Sequence, residues 1–208
     1  MSNLLDALVN CGAVKFGDFT LKSGLKSTYY VDIKKASMNP VVLREITQAM
    51  SDKLDLLGFR TSDAPFDHET DIRYAGMELG AVPILVAASL KDDVPFLIVR
   101  KEPKDHGTMQ RIEGDFYPGD AVVVLEDVTT TGGTSLDAVH QLRLANLNVR
   151  YVVSVVDRDQ GAAEAFKGCG VKFTSLITAE ELLAACPNKV ENSGIHSTES
   201  ASLTVSTP

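Results

Sequence analysis

The sequence predicts an α/β domain built on a parallel, twisted sheet flanked by helices. The apolar runs "VPFLIVR", "AVVVLED" and "VRYVVSVVDR" are continuous rather than alternating, which is typical of parallel strands covered on both faces. Amphipathic segments such as "SLDAVHQLRLAN" separate these runs, and helices connect parallel strands in this order. The 208 residues are enough for one such domain with a full core.

Shorter patterns predict the remaining elements. Apolar residues at helical spacing over residues 4–9 predict a first helix, which Gly12 ends. "FTLKSGLKSTYYVDIKKA" predicts two short strands around Ser23-Gly24, and a long helix is expected from Pro40 to Gly58. Residues 61–70 are polar and patternless, which predicts a loop. Further strands are expected at "DIRYAG" and "VKFTSLIT", a loop leading into an apolar helix at "MELGAVPILVAASL", and further helices at "GAAEAFKGCG" and "AEELLAAC".

Composition changes near the C-terminus and limits the function classes. From residue 187 onward the chain is Ser/Thr-rich with few large apolar side chains, so we expect a folded domain over 1–186 and a disordered tail over 187–208. The net charge of −8 disfavours a general nucleic-acid-binding surface. The three cysteines lack CxxC spacing, which fits a reducing cytoplasm, and we recognise neither a signal peptide nor a membrane span.

The segment "VVVLEDVTTTGGTS" is the strongest candidate for a binding site. Glu126 and Asp127 fall at the carboxyl end of a buried strand, where open parallel sheets bind ligands. Gly132 and Gly133 let backbone N–H groups approach a ligand, and the following helix offers its N-terminal donors to a phosphate. Carboxylates accept hydrogen bonds from sugar hydroxyls, so the pattern predicts a sugar phosphate. Thr134 to Asp137 also matches a loose capping-box spacing.

A basic loop is the second candidate. "VRKEPKDHGTMQRIEG" contains Arg100, Lys101, Lys104, His106 and Arg111, interrupted by acidic residues. Such a loop can close over a diphosphate and neutralise a departing charge. Composition alone is equally compatible with an ordinary solvated surface loop.

The first segment closely resembles the phosphoribosyl-diphosphate (PRPP) binding motif of type I phosphoribosyltransferases. In that family the acid pair holds the ribose hydroxyls and the loop holds the 5-phosphate. The resemblance implies PRPP contacts from Glu126, Asp127, Val128, Thr129, Thr130, Thr131, Gly132, Gly133 and Thr134.

The string "RKEPKDHG" resembles the catalytic loop of one branch, the orotate phosphoribosyltransferases of pyrimidine (UMP) biosynthesis. The resemblance implies that Arg100, Lys101, Lys104 and His106 contact the diphosphate, several of them in the neighbouring subunit of a homodimer. It also implies catalytic roles for Lys104, His106 and Asp127, of which Lys104 is expected to matter most.

Two more segments resemble the same branch. "FTLKSGLKSTYYVD" is similar to its small N-terminal hood, which implies a hood of about residues 1–38 plus a C-terminal segment. "VVDRDQGA" is similar to the segment whose arginine binds the orotate carboxylate, a group that suits a planar guanidinium. Orotate contacts are therefore expected from Lys22, Tyr30, Val31, Thr130 and Arg158.

Plainer roles remain open for two of these segments. Side chains alternate faces along a strand, so one of Tyr29 and Tyr30 is expected to pack inside the domain. Arg158 has Asp157 and Asp159 beside it as alternative partners in a salt bridge. The chain departs from the family at "AGMELGAVP", which has Glu78 near the position of a frequent diphosphate-binding lysine.

Taken with the motifs, the resemblance implies Mg²⁺-dependent transfer of the phosphoribosyl group from PRPP to orotate, with release of diphosphate. Mg²⁺ is expected to be held mainly by substrate and water, without direct side-chain ligands from the protein. The alternatives are a purine or uracil phosphoribosyltransferase, which "KDHG" and Arg158 disfavour, and a PRPP-sensing regulator that binds nucleic acid, which the acidic composition disfavours.

We expect Lys104→Ala to lower kcat by orders of magnitude while the fold survives, because Lys104 is assigned to the departing diphosphate. Steady-state turnover of PRPP and orotate, with circular dichroism as the check of folding, tests this assignment. A variant that turns over at the wild-type rate contradicts it.

Overall fold

The computed structural model describes residues 2–20, 26–59, 72–102 and 111–185, with the side chains of residues 2 and 3 excepted. Within these ranges the chain forms a six-stranded sheet covered by helices on both faces and a separate two-stranded sheet. The expected α/β architecture is confirmed. The tail 187–208 and the loop 61–70 lie outside the described residues.

The helices and strands follow the predicted order. In chain order they are α1 Ser2–Asn10, β1 Val14–Thr20, β2 Lys26–Val31, α2 Ile33–Ser37, α3 Pro40–Leu56, β3 Ile72–Met77, α4 Val82–Asp92, β4 Phe96–Val99, β5 Ile112–Glu113, β6 Ala121–Thr129, α5 Gly133–Leu144, β7 Asn148–Asp157, α6 Ala162–Gly168, β8 Lys172–Thr178 and α7 Ala179–Ala184. The short helix α2 and the two-residue strand β5 have no counterpart in the sequence patterns.

The large sheet has the strand order β5-β4-β3-β6-β7-β8. Strands β4, β3, β6, β7 and β8 pair in parallel, whereas β5 pairs antiparallel with β4. The sheet is therefore mixed rather than wholly parallel. A two-residue edge strand lacks the long apolar run that indicates a strand in sequence, which explains why it was not predicted.

Alternate residues of the central strands enter two hydrophobic cores on opposite faces of the sheet. Val123 and Leu125 belong to the core that includes α1, α3 and α4, and Val122 and Val124 belong to the core that includes α5 and α6. All four side chains are fully buried. Burial of each such side chain contributes about 1.5–3 kcal/mol. The continuous apolar runs of the sequence are explained by this double-sided burial.

The two-stranded sheet stands before the large one in the chain. β1 and β2 pair antiparallel, and the Asp32 N–H donates to the Ala13 carbonyl at 2.8 Å, which ties the end of β2 to the start of β1. Helix α7 packs beside β2. Lys22 falls in residues 21–25, between the two strands and outside the described residues.

Parallel pairing brings several strand ends to one edge of the large sheet. Met77 of β3 pairs with Val99 of β4, and Thr129 of β6 pairs with Asp157 of β7. The loops that leave these four positions therefore start side by side, which is the geometry that open parallel sheets use for ligand binding. None of the helices in the described ranges combines the length and the apolar character that a bilayer crossing needs.

Candidate active site

A cleft of about 610 Å³ opens at this carboxyl edge of the sheet. Its walls come from the end of β2, the β3–α4 loop, the start of the basic loop, the end of β6 and the residue after β7. The sequence-predicted site residues that line it are Tyr30, Val31, Lys101, Glu126, Asp127, Val128, Thr130, Thr134 and Arg158.

Sequence reasoning missed part of the wall. Asp32, Ile33 and Lys34, at the start of α2, line the cleft, and so does Met77 at the end of β3. The signal for the first three was their position directly after Tyr30 and Val31 in "YYVDIKKA". Met77 carried no signal, because it reads as one more apolar residue of a buried strand.

The two acids of the β6 motif occupy different environments. Glu126 is only 4% exposed, and its Oε2 accepts a hydrogen bond from the Ser135 hydroxyl at 2.7 Å. Its Oε1 accepts from the Asp127 backbone N–H at 3.1 Å. Burial, reinforced by the neighbouring Asp127 carboxyl, raises the pKa of Glu126 to about 8. In the unliganded protein at neutral pH, the Glu126 carboxyl is therefore fixed in place by these hydrogen bonds and is largely protonated.

Asp127 is the more exposed acid and lies against the β3–α4 loop. Its Oδ1 accepts the Val128 backbone N–H at 2.9 Å. A Cβ added to Gly80 would lie 2.5 Å from the Asp127 carboxyl carbon, so only glycine allows this close approach. The carboxylate of Asp127 is therefore presented to the cleft with the Gly80 backbone directly beside it.

Helix α5 begins where the motif predicted an anion site. Gly132 is its N-cap residue with φ +82°, a left-handed conformation, and an added Cβ would lie 3.1 Å from the Phe166 ring. The first helical bond runs from the Leu136 N–H to the Gly132 carbonyl at 2.8 Å, so the N–H groups of Gly133, Thr134 and Ser135 precede the ladder.

The predicted capping box at Thr134 to Asp137 is wrong. The N-cap is Gly132 and forms no side-chain capping bond. Asp137 instead pairs with Arg111, whose Nη2 lies 2.6 Å from Oδ2, and this guanidinium lowers the pKa of Asp137. A charged partner outside the helix outcompetes the local backbone donor.

The other loop residues of the motif divide between cleft and surroundings. Thr130 and Thr134 line the cleft. The cleft-lining residues do not include Thr129 at the end of β6, Thr131 in the adjoining loop, or Gly132 and Gly133 at the start of α5. Thr129 is buried and its Oγ1 lacks a hydrogen-bond partner among the described residues, whereas Thr131 is exposed.

The root of the basic loop is well anchored. Lys101 lines the cleft, and its backbone N–H donates to Glu78 Oε1 at 2.9 Å. Arg100 is not among the cleft-lining residues; its Nη1 lies 3.5 Å from Glu113 Oε1. Arg111 donates from Nε to the Arg100 carbonyl at 2.9 Å, so it holds the loop root rather than facing the cleft. Lys104 and His106 lie outside the described residues.

The hood and the end of β7 form the opposite wall. Tyr29 is 7% exposed and packs in the core, whereas Tyr30 is 43% exposed and lines the cleft, as strand alternation predicted. The Arg158 guanidinium lies 5.3 Å from the Tyr29 ring centroid, within cation–π range, and its Nε is buried without a hydrogen-bond partner in the described chain. No ion pair joins Arg158 to Asp157 or Asp159 in the region around β7, so this alternative role is not observed.

Comparisons with known proteins decide the family. The chain is 45% identical over 180 residues to the orotate phosphoribosyltransferase of Methanosarcina mazei, covering 86% of this chain and 90% of that protein. The chain belongs to the orotate phosphoribosyltransferase family. No family model matches it.

Solved structures of the orotate phosphoribosyltransferase family share the fold. The Aeropyrum pernix enzyme matches with a TM-score of 0.71 and 30% identity, over 87% of this chain and 96% of that one. The Mycobacterium tuberculosis enzyme in complex with PRPP matches with a TM-score of 0.65 and 28% identity, over 87% of this chain and 97% of that one.

Gly132 and Gly133 should respond differently to alanine. Gly132→Ala should lower the free energy of unfolding by about 1–2 kcal/mol, because residue 132 is left-handed. Gly133→Ala should fold normally, since the nearest atom to its added Cβ is the Thr131 hydroxyl at 3.9 Å. The added methyl group should nevertheless weaken PRPP binding if a phosphate occupies the helix start. Denaturant titration and calorimetric titration with PRPP measure both effects, and unchanged PRPP affinity in Gly133→Ala would remove the phosphate from this position.

Glu126 should make the stability of the unliganded protein depend on pH. The folded state keeps the Glu126 proton up to about pH 8, whereas the unfolded chain loses it near the ordinary value of 4.5. The folded state therefore binds more protons between these limits, and its free energy of unfolding falls as pH rises through this window. Glu126→Gln should remove this contribution.

Urea unfolding at about pH 5, 6.5 and 8 spans the range over which Glu126 loses its proton. The free energy of unfolding at each pH tests the effect. The exposed acid Asp115 offers a control, since Asp115→Asn should leave the wild-type pH dependence in place. If the free energies of unfolding of the wild type and Glu126→Gln changed with pH in the same way, the Glu126 carboxyl would not be protonated as described.

Proposed function

We propose that this chain transfers the phosphoribosyl group of PRPP to orotate, forming orotidine 5′-monophosphate and diphosphate in pyrimidine biosynthesis. The observation that carries the proposal is the meeting of the β6 acid pair, Lys101 and Arg158 in one cleft, within a chain of the orotate phosphoribosyltransferase family. Each group matches one part of the reactants: sugar, diphosphate and base carboxylate.

The sugar phosphate is assigned to β6 and α5. Asp127 accepts hydrogen bonds from the ribose hydroxyls, and Glu126 supports it from behind through the Asp127 backbone N–H. The 5-phosphate is bound over residues 128–134 by the N–H groups at the start of α5 and by the threonine hydroxyls. The acid pair repels the negatively charged phosphate. PRPP therefore lies along the loop with its ribose at the acids and its 5-phosphate at the start of α5.

Orotate is assigned to the wall formed by the hood and the end of β7. The Arg158 guanidinium binds the carboxylate with paired hydrogen bonds, which also gives its buried Nε a partner. Tyr30, Val31 and Thr130 flank the base, and Lys22, in the chain segment between β1 and β2, is assigned to it as well. An exposed tyrosine ring beside a planar base supplies a stacking surface.

The diphosphate is assigned to the basic loop. Lys101 already lines the cleft, and Lys104 and His106 follow it in the chain. Arg100 completes the set. Its Nη1 lies 3.5 Å from Glu113 Oε1, and the guanidinium gives up this ion pair to bind the diphosphate. Lys34, which also lines the cleft, adds a further cation to this set.

Mg²⁺ is proposed as the cofactor. Among the described residues no group of three or more metal-ligating side chains occurs, and the β6 acid pair offers the cleft the partly exposed carboxylate of Asp127 beside buried Glu126. Such a site fits a cation that takes most of its ligands from substrate phosphates, hydroxyls and water. When bound, Mg²⁺ neutralises charge on the diphosphate. The chain's own residues orient the ribose and the base around it.

The chemistry requires little covalent participation from the protein. The ring nitrogen of orotate attacks the anomeric carbon as the bond to diphosphate breaks. The nitrogen gives up its proton to solvent or to the departing diphosphate, which leaves with the electron pair. Positive charge develops on the ribose, and the Asp127 carboxylate lies where it stabilises that charge. The cleft walls position the acceptor and donor, and the basic side chains stabilise the leaving group. Exclusion of water protects PRPP from hydrolysis.

An assay with PRPP, Mg²⁺ and one of orotate, uracil, adenine or hypoxanthine tests the function. Orotate should be consumed with release of diphosphate, and the other bases should not react at comparable rates. Preferential use of a purine or of uracil would replace the proposed acceptor.

Arg158→Ala should raise the KM for orotate about tenfold or more and change the KM for PRPP much less, because the paired hydrogen bonds to the carboxylate are lost. Arg158→Lys should also weaken orotate binding, since an ammonium group lacks the planar fork. Arg143 provides the control, because its guanidinium binds the carbonyls of Cys169 and Gly170 outside the cleft. An unchanged orotate KM in Arg158→Ala would contradict the assigned pocket.

We further propose a cytoplasmic homodimer whose basic loops are shared across subunits. Cys11 and Cys169 are free thiols, as expected for a reducing compartment. The folded domain is placed over 1–186, with a hood of about residues 1–38 to which α7 adds by packing beside β2. No nucleic acid or membrane partner is proposed, in keeping with the net charge of −8.

Mixed dimers test the shared loop. Co-expressed Lys104→Ala and Asp127→Ala subunits should recover about a quarter of wild-type activity, because half of the dimers are hybrids with one intact site. Lys104→Ala mixed with His106→Ala should recover none, since both changes lie on the basic loop. Absence of recovery in the first mixture, with dimers verified by light scattering, would place the loop in its own subunit's site.

A further inference from the structure

Glu78 is the first residue after β3 and lines the cleft. It is an acid in a site whose proposed reactants both carry negative charge, and one of its carboxylate oxygens is already bound within the protein. Its contacts show another use of the carboxylate.

Glu78 is bound to the β4 side of the sheet at two points. Its backbone N–H donates to the Val99 carbonyl at 2.9 Å, one residue beyond the Met77–Val99 pair that ends the parallel ladder. Its Oε1 then accepts the Lys101 backbone N–H at 2.9 Å. The side chain therefore extends the strand pairing past the end of β4, where no backbone acceptor of β3 remains in register.

The residue between these two contacts is held from the other side. The Arg100 N–H donates to the Arg111 carbonyl at 2.7 Å, and Arg111 Nε donates back to the Arg100 carbonyl at 2.9 Å. Three successive residues, 99 to 101, are thus fixed by hydrogen bonds on alternate sides. Only the bond at Lys101 depends on a side chain of the cleft wall.

We propose that Glu78 is a positioning residue that fixes the backbone of Lys101 at the cleft rim and so directs the Lys101 side chain toward the leaving diphosphate. The part of this inference that concerns diphosphate rests on the proposed function; the anchoring of Lys101 does not. A lysine at position 78 could not replace Glu78 in this role, because an ammonium group only donates hydrogen bonds.

The glutamate has a second, opposing effect on the same site. Its negative charge lies in the cleft with Lys101 and repels an incoming diphosphate group. Glu78→Gln separates these two effects, because its side-chain carbonyl still accepts the Lys101 N–H while the negative charge is gone. Glu78→Ala removes both.

The kinetic test compares these two variants. Glu78→Ala should lower kcat about tenfold, as expected for loss of one hydrogen bond to a charged acceptor, whereas Glu78→Gln should keep kcat within about twofold of wild type. Both should lower the KM for PRPP, because both remove the repelling charge. Asp115→Ala is the matched control: it removes an exposed acid outside the cleft lining and the basic loop and should change neither parameter. Equal kcat values for the two Glu78 variants would overturn the positioning role.

Hydrogen exchange at the Lys101 amide provides a readout that needs no substrate. In the unliganded protein, Glu78→Ala should speed exchange of this amide about tenfold, and Glu78→Gln and Asp115→Ala should leave it near the wild-type rate. Unchanged exchange in Glu78→Ala would refute the anchoring itself. If exchange responds as expected but the wild type does not act on orotate, then the proposed function fails and the anchoring of Lys101 stands.

Discussion

The parallel pairing of β3, β4, β6 and β7 is the constraint on which the site depends. Parallel strands all end at one edge, and their crossover helices must cover both faces of the sheet. The chain meets this requirement with two cores separated by the sheet, so the strands carry almost no functional side chains along their length. Polar chemistry collects where the strands stop, and loops from distant parts of the chain meet there.

Side chains of both charges line the cleft. Asp127 and Glu78 each accept a hydrogen bond from a backbone N–H group, and Lys34, Lys101 and Arg158 line the same cleft. Buried Glu126 avoids a second full charge beside Asp127 by retaining its proton, as its raised pKa indicates. A strongly anionic donor can therefore enter an acidic protein because the local negative charge is smaller than the number of carboxyl groups implies.

Sequence alone predicted the architecture and most of the cleft, for physical reasons. Continuous apolar runs indicate strands that are buried on both faces, which made β6 predictable. A Thr/Gly loop between a strand and a helix has a characteristic local geometry, which made α5 and the residues from Glu126 to Thr134 predictable. Contacts between remote segments were not. Nothing local to Asp137 indicates that it pairs with Arg111 rather than capping α5, and the position of Lys34 shortly after Tyr30 and Val31 does not by itself show that it lines the cleft.

Gly80 shows how much such remote packing can matter. It lies in the β3–α4 loop, 47 positions before Asp127 in the numbering, yet its missing side chain leaves the space that the Asp127 carboxyl occupies. A homologue could keep every letter of the β6 signature and lose its use through one methyl group at this distant position. A sequence search confined to the β6 signature would accept such a chain. The signature can therefore be present in a homologue that has lost the space its Asp127 carboxyl needs.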